Sequence, residues 1–169
     1  MSEKDLRAML DFASGFCERM FAKKGEVAPM WHAVKRNGEQ FVEPHPQQLG
    51  KDLASAMIRA QFNLLDVVRY IYIGEAWTVD KQVSEQALQE EVLAYARQGR
   101  LHEHPDRIEI VQLQGEDYEC GQIMGQRVIK RPSNGKPYLA ALEILVQPGD
   151  GVQSQGRMVG MLPVRGTKQ

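Results

Sequence analysis

The clearest candidate for chemistry in this sequence is the run His102-Glu103-His104-Pro105-Asp106-Arg107. If this stretch is extended, His102, His104 and Asp106 point to one side, because side chains alternate along a strand. Imidazoles and a carboxylate suit zinc or a similar divalent ion, and an open coordination position would activate water. The alternative is an ordinary turn at Pro105 and Asp106, with both histidines solvated.

Part of this run resembles a known metalloprotease motif. The string His102-Glu103-His104-Pro105 is similar to the His-x-His-Pro portion of the JAMM motif, but the Ser and Asp expected downstream fall on Gln112 and Gly115. The resemblance therefore covers four residues only. The spacing of His102, His104 and Asp106 by itself supports one functional hypothesis, a metal-dependent hydrolase with Glu75 as its base.

A second candidate is the carboxylate of Glu75, which lies between Ile73 and Trp77 near the end of an apolar run. A carboxylate embedded among apolar side chains would suit a general base, so Glu75 is the predicted catalytic residue. The alternative is a strand-end glutamate that reaches solvent or pairs with Arg69.

Aromatic residues beside titratable groups suggest a third hypothesis, a small-ligand-binding domain. The predicted ligand-binding residues are Trp31, His32, Trp77 and Arg107. An aromatic beside an imidazole is a common lining for a pocket. The alternative places Trp31 in the core and His32 on the other face of its strand.

The composition of the chain argues against several classes of partner and indicates its compartment. The 21 basic and 22 acidic side chains leave a formal net charge of -1, so no global field attracts nucleic acid or anionic lipid. Cys17 and Cys120 form no CxxC pair, which argues against a disulfide framework or a zinc ribbon. With no signal-peptide pattern and no spanning segment, we predict a cytoplasmic chain that is not membrane-embedded.

Hydrophobic periodicity and turn residues predict the elements that position these residues. We expect helices over 3–23, 49–65 and 80–97, and strands over 30–36, 39–43, 67–77, 107–114, 120–130 and 138–147. Asn37-Gly38 predicts a two-residue type I′ hairpin turn between the first two strands. Asp80 is the predicted cap of the third helix.

The element order α-β-β-α-β-α-β-β-β predicts one α+β domain over 1–148, with a single, mostly antiparallel sheet of five or six strands and helices on one face. Residues 149–169 are rich in glycine and are predicted to form a mobile tail. Both faces of strand 67–77 are apolar, and a partner subunit is one possible cover. We therefore expect a small non-enzymatic accessory or binding protein that acts as a homodimer, with the hydrolase and the ligand-binding domain as alternatives.

Overall fold

The computed structural model describes residues 2–79, 86–151 and 158–163, and these contain three α-helices and seven strands. The helices are α1 (Ser2–Lys24), α2 (Lys51–Leu64) and α3 (Gln86–Arg97). The strands are β1 (Met30–Lys35), β2 (Gln40–Pro44), β3 (Val67–Val79), β4 (Arg107–Asp117), β5 (Gly121–Lys130), β6 (Tyr138–Leu139) and β7 (Glu143–Val146). Asp80, the predicted cap of α3, lies outside the described residues.

All described strands belong to one sheet in the order β2-β1-β3-β4-β5-β6, and β7 also pairs with β5. Every pairing is antiparallel. The predicted α+β class with one antiparallel sheet is therefore confirmed. In the described residues, no helix combines the length and the apolar character needed to cross a bilayer.

The hairpin between β1 and β2 is present, but its turn differs from the prediction. Lys35 N–H donates to the Glu39 carbonyl at 2.8 Å, so three residues form the connection instead of two. Gly38 has a φ of 89°, whereas Asn37 does not have a positive φ, which a type I′ turn requires at both central positions. Asn37 instead accepts a hydrogen bond from Glu39 N–H at 2.9 Å through its side-chain oxygen.

The predicted last strand, 138–147, is split into β6 and β7. β6 pairs with β5 at Ile129 and Lys130, and β7 pairs with it from Met124 to Gln126. The buried guanidinium of Arg127 accounts for the break, because its Nε donates to the carbonyl of Ala140 at 2.7 Å between the two strands. The Ala140 carbonyl therefore accepts a hydrogen bond from a side chain and not from the backbone of a neighbouring strand.

One face of the sheet packs against α1, and we call it the α1 face. Ile71 and Ile73 of β3 contribute to this core, together with apolar side chains of β4 and β5. The buried stripe of α1 follows helical spacing: Leu6, Met9, Leu10, Ala13, Cys17 and Phe21. Cys17 packs as a small hydrophobe, and burial raises the pKa of its thiol to about 12.

The opposite face packs against α2, and we call it the α2 face. Its core is aromatic, and Trp31, Phe62, Tyr70 and Tyr72 form it with Ile58, Val67 and Met161. The prediction that the helices share one face is not confirmed, because alternation in β3 places Ile71 and Tyr70 on opposite faces and each face has its own helix. Both faces of β3 are thus covered within this chain.

Part of the predicted tail packs on this second core. Of residues 149–169, the structure describes 149–151 and 158–163. Met161 is fully buried, and the Met158 carbonyl oxygen lies 2.9 Å from the Tyr70 hydroxyl oxygen. Residues 158–163 therefore form one side of the α2-face core.

Candidate functional site

A cleft of about 690 Å³ opens on the α2 face, next to the start of β1, where β3 continues beside β4 alone among the described strands. Its walls come from the segment before β1, the loop before α2, the middle of β3 and β4, and Met158. The lining includes Glu26, Pro29, His45, Lys51, Tyr72, Glu75, Gln112, Gln114 and Met158. A volume of this size matches that of small-molecule sites in other proteins.

His45 is held in the cleft wall by a buried partner. The indole Nε1 of Trp31 donates a hydrogen bond to His45 Nδ1 at 3.1 Å. Burial lowers the pKa of His45, which favours the neutral imidazole. In this neutral ring the proton is on Nε2, because Nδ1 acts as the acceptor.

Tyr72 is fixed between two aromatic rings and a glycine. Its ring centroid lies 4.7 Å from that of Trp31 and 5.8 Å from that of His45. Gly74 permits this position, since a Cβ at residue 74 would lie 2.9 Å from Cζ of Tyr72 and 3.3 Å from Cβ of Pro29. Burial raises the pKa of Tyr72 to about 12, so the phenol is a neutral donor at physiological pH.

The floor of the cleft carries a pair of amides on β4. Gln112 donates from Nε2 to Oε1 of Gln114 at 2.9 Å, and Gln114 is buried. Both lie on the α2 face, because Gln114 pairs with Tyr72 and Gln112 with Gly74 across β3 and β4. The amides place hydrogen-bonding groups at fixed positions on the floor of the cleft.

The charged residues of the cleft lie at its rim. Glu26, Lys51 and Glu75 are all exposed, whereas Tyr72 and Gln114 are buried. Glu75 accepts a hydrogen bond from Val27 N–H at 2.9 Å, which ties the segment before β1 to the end of β3. Arg69, the alternative partner predicted for Glu75, instead pairs with Asp117 at 2.7 Å.

The structure places Trp31 and His32 on opposite faces of β1. Trp31 is fully buried behind the cleft, in the α2-face core. His32 pairs with Ile71 and so lies on the α1 face, where its Nε2 is 2.9 Å from Oε1 of Gln40. Of these two predicted ligand-binding residues, Trp31 alone supports the cleft.

Trp77 and Arg107 contact each other away from the cleft. Trp77 is 37% exposed, and Cζ of Arg107 lies 5.5 Å from its ring centroid. Trp77 alternates with Tyr72 along β3, so its side chain is on the α1 face. The four predicted ligand-binding residues are therefore not brought together into one site.

The predicted metal ligands are separated by burial. His104 is 1% exposed, whereas His102 and Asp106 are exposed. His104 Nδ1 accepts a hydrogen bond from Asp106 N–H at 3.1 Å, and its Nε2 has no hydrogen-bond partner in the described part of the chain. Because the lone pair of Nδ1 accepts this hydrogen bond, it is not free for a metal ion, and the tautomer that allows the bond has its ring proton on Nε2. Within residues 2–79, 86–151 and 158–163, no group of three potential ligands could hold a metal ion.

Several residues of the cleft were not singled out from the sequence. The sequence patterns predict a loop around His45 and strands around Tyr72, Gln112 and Gln114, without a role in binding for any of the four. The alternation Gln112-x-Gln114-x-Glu116 was the available signal, because it places polar side chains on one face of a strand whose other face is apolar. His45 gave no comparable signal, since it lies between two prolines in a loop.

Comparison with known proteins adds no family to this description. No protein family, no curated protein and no solved structure matches the chain.

Proposed function

We propose that this chain is a non-enzymatic binding protein that takes a small polar ligand in the cleft of the α2 face. The observation that carries the proposal is the convergence of His45, Tyr72, Gln112 and Gln114, from three separate parts of the chain, on one cleft of about 690 Å³. Convergent polar groups in a largely preformed concavity are typical of small-molecule sites.

The lining side chains are held in place before any ligand arrives. Trp31 orients His45, Gly74 leaves room for the Tyr72 ring, and the Gln112 amide is bonded to Gln114. Binding to groups already fixed avoids much of the entropic cost of ordering them. This rigidity supports a recognition site.

The residue types in the cleft favour binding over catalysis. Its described lining contains no serine or cysteine that would act as a nucleophile. Cys17 is buried under the α1 face, and burial raises the pKa of the Cys120 thiol to about 11. The hydrolase alternative gains no support from the separated positions of His102, His104 and Asp106.

The proposal is tested by NMR on uniformly ¹⁵N-labelled protein carrying Trp77→Phe, which leaves Trp31 as the sole indole. Acetamide, glycerol and uracil serve as uncharged probes at millimolar concentration. We expect saturable shifts of the Trp31 indole N–H and of the Gln112 side-chain amide for at least one probe. Absence of any such shift contradicts the proposal.

A pair of variants locates the binding. Gln112→Ala should weaken the responding probe about five- to tenfold, because one hydrogen bond is lost. Gln40→Ala is the matched control, since Gln40 lies exposed on β2 and outside the cleft. Equal affinity losses in both variants would place the probe elsewhere.

Self-association remains a prediction. The two-sided apolar strand predicts it, but both faces of β3 are covered by α1 and α2 of the same chain. Sedimentation velocity over a range of concentrations tests it directly, with a monomer at all concentrations as the contrary result.

A further inference from the structure

The first turn of α2 borders the cleft and has no side-chain cap. Gly50, which precedes α2, and Lys51, its first residue, both line the cleft. The first helical bond is donated by Ala54 N–H to the Gly50 carbonyl at 3.0 Å, so the N–H groups before Ala54 lie outside the helical ladder. These groups and the helix dipole favour a negative charge, to which the Lys51 side chain adds a full positive one. Asp52, the acid of this turn, is not part of the lining.

A buried donor in the same cleft indicates a ligand independently of the helix. Tyr72 is only 7% exposed and lines the cleft, yet its hydroxyl makes no hydrogen bond with the described residues. Buried polar groups in folded proteins are normally hydrogen-bonded, so this hydroxyl is available to an acceptor group of a ligand. His45, whose ring centroid lies 5.8 Å from that of Tyr72, supplies a second donor through its protonated Nε2. The two donors suit the oxygens of a carboxylate.

Two carboxylates line another part of the cleft wall. Val27 N–H donates to Oε1 of Glu75 at 2.9 Å, so Glu75 and Glu26, the residue before Val27, border the same part of the cleft. Both are exposed at the rim. Two neighbouring negative charges attract a positively charged group.

We infer that the ligand is a small zwitterion with a carboxylate and a primary ammonium group, the chemistry of a free amino acid. This inference rests on the proposed function and assigns its ligand class. The carboxylate lies at the start of α2, where Lys51 and the Tyr72 hydroxyl donate to it. The ammonium lies against Glu26 and Glu75 and donates to their oxygens. The apolar part of the lining, which includes Met158, suits contact with the carbon chain between the charged ends.

The test is a set of ligands that carry both charges, one charge or none, titrated at neutral pH and constant ionic strength through the NMR signals of the Trp31 indole and the Gln112 amide. Glycine, β-alanine and 4-aminobutanoate carry both charges at increasing separation. Acetate and methylammonium carry one charge, and acetamide carries none. The best amino acid should bind at least about fivefold more tightly than acetate and about tenfold more tightly than acetamide or methylammonium. Equal affinity for acetate and the amino acids overturns the ammonium assignment.

Tyr72→Phe tests the carboxylate end of the site, because the hydroxyl that it removes has no partner among the described residues. The amino acid and acetate should both bind about five- to tenfold more weakly, while the urea midpoint should not fall. Tyr138→Phe is the matched control, since Tyr138 is 55% exposed on β6 and lies outside the cleft. Unchanged acetate affinity in Tyr72→Phe overturns the carboxylate assignment.

The double variant Glu26→Gln/Glu75→Gln tests the ammonium end. The amide oxygen at position 75 can still accept from Val27 N–H, so the cleft wall keeps its hydrogen bond. The preference for the amino acid over acetate should disappear, and acetamide binding should not change. A preference that survives overturns the ammonium assignment.

The uncharged probes separate this inference from the proposed function. Binding of acetamide, glycerol or uracil with no preference for any amino acid overturns the zwitterion and leaves the proposed function intact. Loss of every response, to charged and uncharged probes alike, overturns the proposed function itself.

Discussion

The indole nitrogen of Trp31 donates a hydrogen bond to Nδ1 of His45 at 3.1 Å, from a fully buried ring to a residue that lines the cleft. An indole N–H can only donate, so His45 can accept only while Nδ1 has no proton. Protonation of the imidazole would add a proton to Nδ1, so the N–H groups of Trp31 and His45 would face each other with no acceptor between them. The state of His45 and the position of Trp31 are therefore linked.

The first prediction concerns the pH dependence of this pair. Burial lowers the pKa of His45 below its ordinary value of 6.5, so the unfolded chain binds this proton more tightly than the folded one. The contribution of the neutral His45 ring to folding stability is fully present above pH 6.5. It is lost as the pH falls from 6.5 through the pKa of His45 in the folded protein. NMR titration of the His45 ring should give a midpoint below 6.5, with the Trp31 indole N–H shifting at the same pH.

His45→Gln provides the control for this titration. Its amide oxygen can still accept from Trp31, but the side chain does not titrate, so the Trp31 signal should stay constant over this pH range. A midpoint at or above 6.5 in the parent protein would contradict the predicted shift.

The second prediction concerns Gly74. A Cβ at this position would lie 2.9 Å from Cζ of Tyr72, so Gly74→Ala should displace the phenol ring and cost about 1–3 kcal/mol of unfolding free energy. Gly15→Ala is the contrasting change, because its Cβ would meet only Nη1 of Arg19 at 3.4 Å, in the interior of α1. Gly15→Ala should raise the free energy of unfolding by about 0.5–1 kcal/mol. Urea denaturation checks both, and an unchanged midpoint for Gly74→Ala would show that Tyr72 moves freely.

The elements were predictable because periodicity is a local property. The helix expected over 3–23 is observed as Ser2–Lys24, and the strand expected over 120–130 as Gly121–Lys130. The split of the last strand was not predictable, because it depends on Arg127 of β5 donating to the carbonyl of Ala140. That contact exists only after the strands have paired.

The cleft was less predictable for the same reason. His45, Tyr72 and Gln112 come from a loop, β3 and β4, and pairing of strands brings the last two together. The run from His102 to Asp106 predicts a metal site because its residue types are adjacent in sequence. Burial of His104 and exposure of His102 then separate these side chains in space.

The third prediction concerns the carboxylate of Glu116, which accepts four hydrogen bonds. The donors are the Tyr70 hydroxyl at 2.7 Å, Gly160 N–H at 3.0 Å, Gln122 Nε2 at 3.1 Å and Met161 N–H at 3.2 Å. Glu116→Gln replaces one acceptor oxygen by an amide donor that faces these donors. We expect a loss of about 2–3 kcal/mol and faster amide exchange at Gly160 and Met161.

Glu103→Gln is the control for this substitution, because Glu103 is exposed and its partner is the exposed Arg100. Its unfolding midpoint should match that of the parent protein. Unchanged exchange at Met161 in Glu116→Gln would show that residues 158–163 are held by apolar packing alone.

The fourth prediction concerns acid stability through Asp117. Burial raises the pKa of this carboxyl, but hydrogen bonds from Glu119 N–H, Arg69 and Cys120 N–H outweigh burial and leave the pKa lowered. The contribution of the Asp117 carboxylate to folding stability is therefore present above about pH 3.8 and is lost as the pH falls through the pKa of Asp117 in the folded protein. Asp117→Asn should lower the free energy of unfolding by about 2 kcal/mol at neutral pH. The difference from the parent protein should become smaller at acidic pH, where the parent protein loses the same contribution.

Asp5→Asn is the control, because it removes the exposed second partner of Arg69 at 3.6 Å and should lower the free energy of unfolding far less. Equal losses for the two variants in urea denaturation would mean that burial of Asp117 adds nothing to its pairing with Arg69.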